Sequence, residues 1–162
     1  MNKKALRGFF VILRTVKNTF FLIIGLIIIF GSMFLFFQES LLGTNQTKII
    51  KINSVSVIAE VADTLEKRAK GLSERKIFPE GTGMLFIFDN PAQYGFWMKN
   101  MNFPIDIVWI NEEWQIVGIE KQVSPETFPQ IFYPNQVVKY VLELPAGFSD
   151  KYRIDIGQYV TI

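Results

Sequence analysis

The stretch Val55–Ala62, with the sequence VSVIAEVA, alternates between two sets of side chains. One set is apolar throughout and consists of Val55, Val57, Ala59 and Val61. A repeat of two residues with one apolar face is typical of a β-strand that packs one side against a core. This stretch therefore predicts a β-strand and places the start of a β-rich domain close to it.

The chain after this strand has the pattern of a small, mainly β domain. Asp63, three residues before Glu66, resembles a capping box and predicts a short helix that ends near Gly71. Short apolar runs separated by turn residues then predict strands, and Asn111–Glu113 predicts a tight hairpin loop. We expect a compact β-sandwich or barrel-like domain with one or two short helices. The predicted strands after the helix are Met84–Phe88, Tyr94–Lys99, Ile105–Ile110, Trp114–Glu120, Val137–Leu144 and Gly157–Val160.

An uncharged apolar run, Thr19–Phe37, precedes the domain. Nineteen helical residues, at ~1.5 Å each, reach about the ~30 Å thickness of a bilayer core. Five cations and no acid precede the run, which predicts an N-terminus in the cytoplasm. A cleaved signal peptide is the alternative, but its shorter apolar region and small-residue cleavage site are poorly matched. The expected organisation is a basic cytoplasmic segment (1–18), a transmembrane anchor in the lipid bilayer of the cytoplasmic membrane (19–37), a tether (38–47) and an extracytoplasmic domain (48–162).

Composition excludes several classes of function. Of the seventeen Lys and Arg residues five lie before Thr19, which leaves twelve cations against fifteen acids in the rest of the chain. A weakly acidic domain argues against a nucleic-acid partner, since such surfaces need clustered cations. The chain has no His and no Cys, which removes the commonest general base, the usual nucleophiles and nearly all transition-metal sites. We therefore expect no metal and no cofactor.

Several short segments carry a family resemblance. In chain order they are EVADT (60–64), RAKGL (68–72), GTGMLF (81–86), FWMKN (96–100), PIDI (104–107) and YVLELPAG (140–147). Together they resemble the domain of unknown function 192 family, over about Val55 to Val160. The resemblance implies a compact, mainly β domain that is often exported and has no established activity. One departure is Ser73, which stands where the family usually has Met.

Asp106 is the acid that the pattern most clearly predicts to be buried, because it lies between Ile105 and Ile107. A buried carboxylate needs a partner. An antiparallel hairpin between the strands around Lys99 and Asp106 would bring the acid to Lys99 or Asn100. The pair can be a structural ion pair, a binding or catalytic pair, or two independent solvated side chains.

Aromatic and cationic residues near this pair suggest a contact surface. The tryptophans and tyrosines can form a platform for a sugar ring or an apolar ligand, although aromatic residues in strands are commonly core. Glu143 is expected at an edge or on the surface. The candidate polar cluster, for ligand binding or for structure, consists of Arg75, Trp97, Lys99, Asn100 and Asp106.

Three functions follow as hypotheses. The favoured one is a membrane-anchored extracytoplasmic domain that binds an envelope component, a small ligand or a protein partner without turnover. The second is a hydrolase of envelope material that uses Asp106 and a second acid, with Lys99 or Arg75 holding the substrate. The third is a structural surface module.

Overall fold

The computed structural model of the protein describes residues 23–35 and 46–162. Residues 23–35 are helical (α1), and the chain divides into two compact units, Met1–Thr44 and Asn45–Ile162. In the two described ranges, no helix has the length and apolar character needed to cross a membrane. The anchor predicted over Thr19–Phe37 is therefore not confirmed, and both of its ends lie outside the described residues. Most of the predicted tether also lies outside them.

The second unit is built mainly from β-strands. The helix α2 (Leu65–Lys70) begins after its N-cap, Thr64, whose Oγ1 accepts a hydrogen bond from Lys67 N at 3.2 Å. A 3₁₀ turn at Pro125–Thr127 and the helix α3 complete the helical part. The elements are β1 (Thr47–Ile52), β2 (Val55–Ala62), α2 (Leu65–Lys70), β3 (Thr82–Ala92), β4 (Phe96–Trp97), β5 (Ile105–Ile110), β6 (Ile116–Val123), β7 (Ile131–Phe132), β8 (Val138–Pro145), α3 (Phe148–Lys151) and β9 (Val160–Thr161).

Seven of these strands form one curled sheet in the order β6-β5-β8-β3-β2-β1-β9. The pair β2–β3 is parallel and the other neighbours are antiparallel. The two ends of the sheet approach each other at Gln115 and Tyr159, which form a bridge. The sheet thereby curls into a half-barrel. The strands β4 and β7 pair in a separate two-stranded ribbon.

Both faces of the sheet are apolar, because the domain has two hydrophobic cores. Residues such as Val57, Leu85 and Leu142 point into the curl and form the inner core. The outer core lies on the other face and includes Phe86 and Trp109, among others. The segment after α2 and the β4–β7 ribbon cover this outer face, to which they contribute Leu72, Met98, Phe96 and Phe132.

The predicted mainly β fold is confirmed, and so are β2 and the short helix after it. The hairpin proposed to join Tyr94–Lys99 to Ile105–Ile110 is wrong. All six residues of β5 are buried, and β5 is an internal strand between β6 and β8. Both of its edges are thus occupied, and β4 pairs with β7 instead.

Candidate functional site

Asp106 is fully buried, as its apolar neighbours predict, but its partners are backbone groups. Its Oδ1 accepts hydrogen bonds from Gln122 N at 2.8 Å and Gly147 N at 3.0 Å. Its Oδ2 accepts one from Ser149 N at 2.8 Å. These bonds join β5 to β6 and to the turn that begins α3. The carboxylate is a structural brace that ligands cannot reach.

The predicted pairing of Asp106 with Lys99 is wrong. Within residues 46–162 the two side chains form no ion pair, and the Lys99 ammonium lies 5.7 Å from the centroid of the Trp97 ring. The reason is topological, since Lys99 follows the separate ribbon whereas Asp106 lies inside the large sheet.

Glu143 is a second buried acid, and its hydrogen bonding is incomplete. It lies on β8 beside Met84 of β3 and Ile107 of β5, and 5% of its surface is exposed. Its Oε2 is buried and has no hydrogen-bond partner among the residues that the structure describes. Burial raises the pKa of this carboxyl to about 8, although the positive charge of Arg75 acts in the opposite direction. The surface position expected for Glu143 is therefore wrong, because both faces of β8 are covered.

Glu143 lines an aromatic cavity of about 330 Å³ between the sheet and its outer cover. The Phe88 and Tyr94 rings stack, with centroids 3.5 Å apart, and Phe86 meets Phe96 edge-on at 4.9 Å. Such cavities, with an apolar lining and few polar groups, are the usual form of small-molecule sites. Its lining includes Arg68, Phe86, Tyr94, Phe96, Trp97 and Glu143.

Arg68 is a fixed cation in the wall of this cavity. Its Nη1 donates hydrogen bonds to Asp63 O at 2.8 Å and to Ile87 O at 2.7 Å. Its guanidinium also lies 5.2 Å from the centroid of the Phe88 ring. Backbone carbonyls and an aromatic face hold this side chain, and it forms no ion pair with an acid of residues 46–162.

A cationic cleft adjoins the aromatic cavity. It is lined by Arg68, Ala69, Lys70, Ser73, Glu74, Trp97, Lys99 and Asn100. Five of these residues, Arg68, Ala69, Lys70, Ser73 and Trp97, also line the aromatic cavity. The two depressions therefore form one continuous surface, with Trp97 at their border.

Arg75 does not line this surface, because its guanidinium pairs with Glu60. Its guanidinium makes a two-point contact with the Glu60 carboxylate, in which Nη2 donates to Oε2 at 2.8 Å. The hydrogen bond with Arg75 lowers the pKa of Glu60, and the same contact raises the pKa of Arg75. Asn102 Nδ2 further donates to Arg75 O at 2.9 Å and fixes the loop.

Of the predicted cluster, the structure brings together Trp97, Lys99 and Asn100 in the cationic cleft. Arg75 and Asp106 line neither the aromatic cavity nor the cationic cleft. The residues that sequence reasoning missed are Arg68 and Glu143. Glu143 carried the same signal as Asp106, an acid between two apolar residues, Leu142 and Leu144.

The comparisons with known proteins agree with this fold. The model of the domain of unknown function 192 family, described as an uncharacterised group, matches residues 48–162. The chain belongs to this family. A relative from Pyrococcus abyssi, the UPF0127 protein PYRAB11210, is 27% identical over 121 residues, which cover 72% of this chain and 92% of the relative.

Two solved structures share the fold of this family member. A proposed transcription regulator from Sinorhizobium meliloti 1021 is 26% identical, with a TM-score of 0.69 over 72% of this chain and 94% of that chain. A protein of unknown function from Novosphingobium aromaticivorans is 23% identical, with a TM-score of 0.70 over 75% of this chain and 89% of that chain. The similarity spans most of each of these two chains.

Proposed function

We propose that the domain of residues 46–162 binds a ligand in the aromatic cavity, without turnover, at the outer face of the cytoplasmic membrane. The observation that carries this proposal is the unpartnered Oε2 of Glu143 in the cavity wall. A buried polar atom without a hydrogen bond costs about 1–3 kcal/mol. The carboxyl of Glu143 thus keeps unused hydrogen-bonding capacity in the cavity wall, which favours a ligand that carries a polar group.

The lining supports binding more than catalysis. A single acid, Glu143, lines the aromatic cavity, and the chain has no His or Cys to act as a base or nucleophile. Glu60, the neighbouring acid, forms an ion pair with Arg75, and Asp106 accepts hydrogen bonds from three backbone N–H groups. The alternative hydrolase therefore loses Asp106 as its catalytic acid.

A hydrolase that uses Glu143 in place of Asp106 is still a candidate function. Its pKa is raised to about 8, whereas the pKa of Glu60 is lowered. Two acids with opposite shifts are a common arrangement of a general acid and a base. The two residues flank Met84 on adjacent strands, which puts their Cα atoms about 10 Å apart. Glycoside hydrolysis, which commonly uses two acids, is therefore the second candidate, although Glu60 lines neither the aromatic cavity nor the cationic cleft.

Membrane attachment is supported by the N-terminal sequence and by α1. The apolar side chains of residues 23–35 are exposed, for example those of Ile27 and Leu35. A helix that is apolar all round requires a non-aqueous environment or a partner. The cations before Thr19 favour retention of that end in the cytoplasm.

A ligand screen on the full chain in detergent micelles tests the proposed function. Cell-wall glycan fragments, peptides and ester substrates are titrated by calorimetry, and each mixture is analysed for product by chromatography. We expect saturable binding of one class without product, at least 10-fold weaker in Trp97→Ala and Glu143→Leu. Glu113→Gln, an exposed loop acid, is the control and retains the wild-type affinity.

Two results would overturn the proposal. Product formation that is abolished by Glu143→Gln in a folded protein establishes the hydrolase instead. Binding of equal strength in wild type and in both cavity variants places the ligand elsewhere on the molecule.

A further inference from the structure

We infer that the ligand is an anionic saccharide, with a sugar ring in the aromatic cavity and its acidic group in the cationic cleft. This inference rests on the proposed function and adds the chemical class of the ligand. It starts from the continuity of the two depressions, which share Arg68, Lys70, Ser73 and Trp97. A ligand that occupies both depressions contacts aromatic side chains in the cavity and charged side chains in the cleft.

The charge of the cleft selects an anion. Arg68, Lys70 and Lys99 line it, against the single acid Glu74. Four other lysines in residues 46–162 form ion pairs with acids, namely Lys67, Lys121, Lys139 and Lys151. Lys70 and Lys99 make no ion pair with a described residue. Their charges are thus free to attract a carboxylate or phosphate.

The aromatic half suits a sugar ring more than a lipid chain. Trp97 is 51% exposed at the border of the two halves and presents a flat apolar face. Residues with polar side chains, namely Ser73, Asn100 and Glu143, line the same two depressions. A sugar ring offers apolar C–H faces together with hydroxyl groups, and therefore matches both. The volume of about 330 Å³ is at the small end for ligand sites, which favours one or two rings.

Calorimetric titration of the full chain in a neutral detergent tests the inference. The probes are digalacturonate, galactose 6-phosphate and the uncharged digalactose. We expect at least one anionic probe to bind 10-fold or more tightly than digalactose, and this preference to weaken as salt is raised. The double variant Lys70→Gln/Lys99→Gln loses the preference but still binds the neutral sugar. Lys51→Gln, which removes an exposed cation on β1, retains it.

The outcomes separate this inference from the proposed function. Equal affinities for digalacturonate, galactose 6-phosphate and digalactose, all lowered by Trp97→Ala, overturn the anionic class and leave the cavity as a binding site. Binding of peptides or ester substrates from the wider screen, but of no saccharide, at the same residues also overturns it and leaves the cavity a ligand site. The stronger of the two anionic probes identifies carboxylate or phosphate as the recognised group. A wild-type chain that binds none of these probes and none of the wider screen overturns both proposals.

Discussion

At the scale of single residues, the domain holds two acids in similar sequence settings with opposite surroundings. Asp106 lies between two isoleucines and Glu143 between two leucines. Three backbone N–H groups donate to Asp106, whereas Oε2 of Glu143 has no donor. We expected burial for Asp106 but an edge or surface position for Glu143, although both acids lie between apolar residues. The pattern also cannot show which acid has hydrogen-bond donors, since the donors to Asp106 come from distant segments. The longer side chain of Glu143 is the one that reaches a cavity.

The raised pKa of Glu143 makes stability depend on pH. The native carboxyl keeps its proton up to about pH 8, whereas the unfolded chain releases it near the ordinary value of 4.5. Between these values the unfolded state binds fewer protons, so the free energy of unfolding falls as pH rises. We expect a loss of roughly 5 kcal/mol across this window. Urea unfolding at pH 5, 6, 7 and 8 measures it.

The variant Glu143→Gln isolates this contribution. Glutamine has nearly the same shape and does not titrate, so its unfolding free energy changes much less between pH 5 and pH 8. An equal slope in wild type and variant assigns the pH dependence to another group and contradicts the burial of a titrating Glu143.

Replacement of Asp106 tests the brace between β5, β6 and α3. In Asp106→Ala the N–H groups of Gln122, Gly147 and Ser149 lose their acceptor, and we expect a destabilisation of about 3–5 kcal/mol. Asp106→Asn retains one oxygen and loses less. Chemical denaturation at neutral pH compares the three proteins. Unchanged unfolding midpoints in both variants would contradict a structural role.

At the scale of elements, the β4–β7 ribbon forms part of the roof of the aromatic cavity. Its packing depends on Gly95, where an added Cβ would lie 2.6 Å from Ile131 Cγ2 and 2.6 Å from Tyr133 Cε1. A side chain at Gly95 therefore pushes the ribbon apart. The ribbon has two residues in each strand and is separate from the large sheet, so its displacement leaves the sheet intact.

The variant Gly95→Ala tests whether the ribbon can be displaced without a change in the large sheet. We expect amide hydrogens of Trp97 and Ile131 to exchange at least 10-fold faster, while those of β5 and β8 keep their wild-type rates. Gln130→Ala, an exposed neighbour, is the control and changes neither set. Faster exchange throughout the sheet, or none in the ribbon, would show that the ribbon is not an independent cover.

Much of the element pattern was predictable from the sequence because it depends on local periodicity. The alternation in Val55–Ala62 is a β-strand, and the run Ile105–Ile110 is β5 with the predicted bounds. The strand β1 was missed because it begins in the segment interpreted as a tether, and β7 because it has two residues. The neighbours of each strand were not predictable, since pairings such as β2 with β3 depend on contacts far apart in the chain.

At the scale of the whole molecule, the two faces of the half-barrel divide their roles. The inner core fills the interior of the curled sheet, and the outer face carries both a second core and the aromatic cavity. Sequence reasoning found Trp97, Lys99 and Asn100, which lie together in one motif. It did not find the acid beneath them, because Glu143 reaches the cavity from a strand more than forty residues later.

The acidity of the domain contrasts with the basic start of the chain. All fifteen acids follow Phe37, whereas five cations precede Thr19 without any acid. Each charge moved into the bilayer core costs about 2.5–3.5 kcal/mol on insertion scales. The five cations close to the apolar run favour retention of the basic end in the cytoplasm, because flanking Lys and Arg set the orientation whereas acids contribute little.

We therefore expect the C-terminus to lie outside the cytoplasm and the chain to stay membrane-bound. A reporter that is active only outside the cytoplasm, fused after Ile162, should be active in the membrane fraction. The double variant Ile27→Arg/Phe30→Arg introduces two charges into the apolar run and should reduce membrane retention strongly. Ile27→Leu/Phe30→Leu is the matched control, because it preserves apolar character. A soluble product with a new N-terminus between Gly31 and Gly43 would establish a cleaved signal peptide, and activity of a cytoplasmic reporter alone would reverse the orientation.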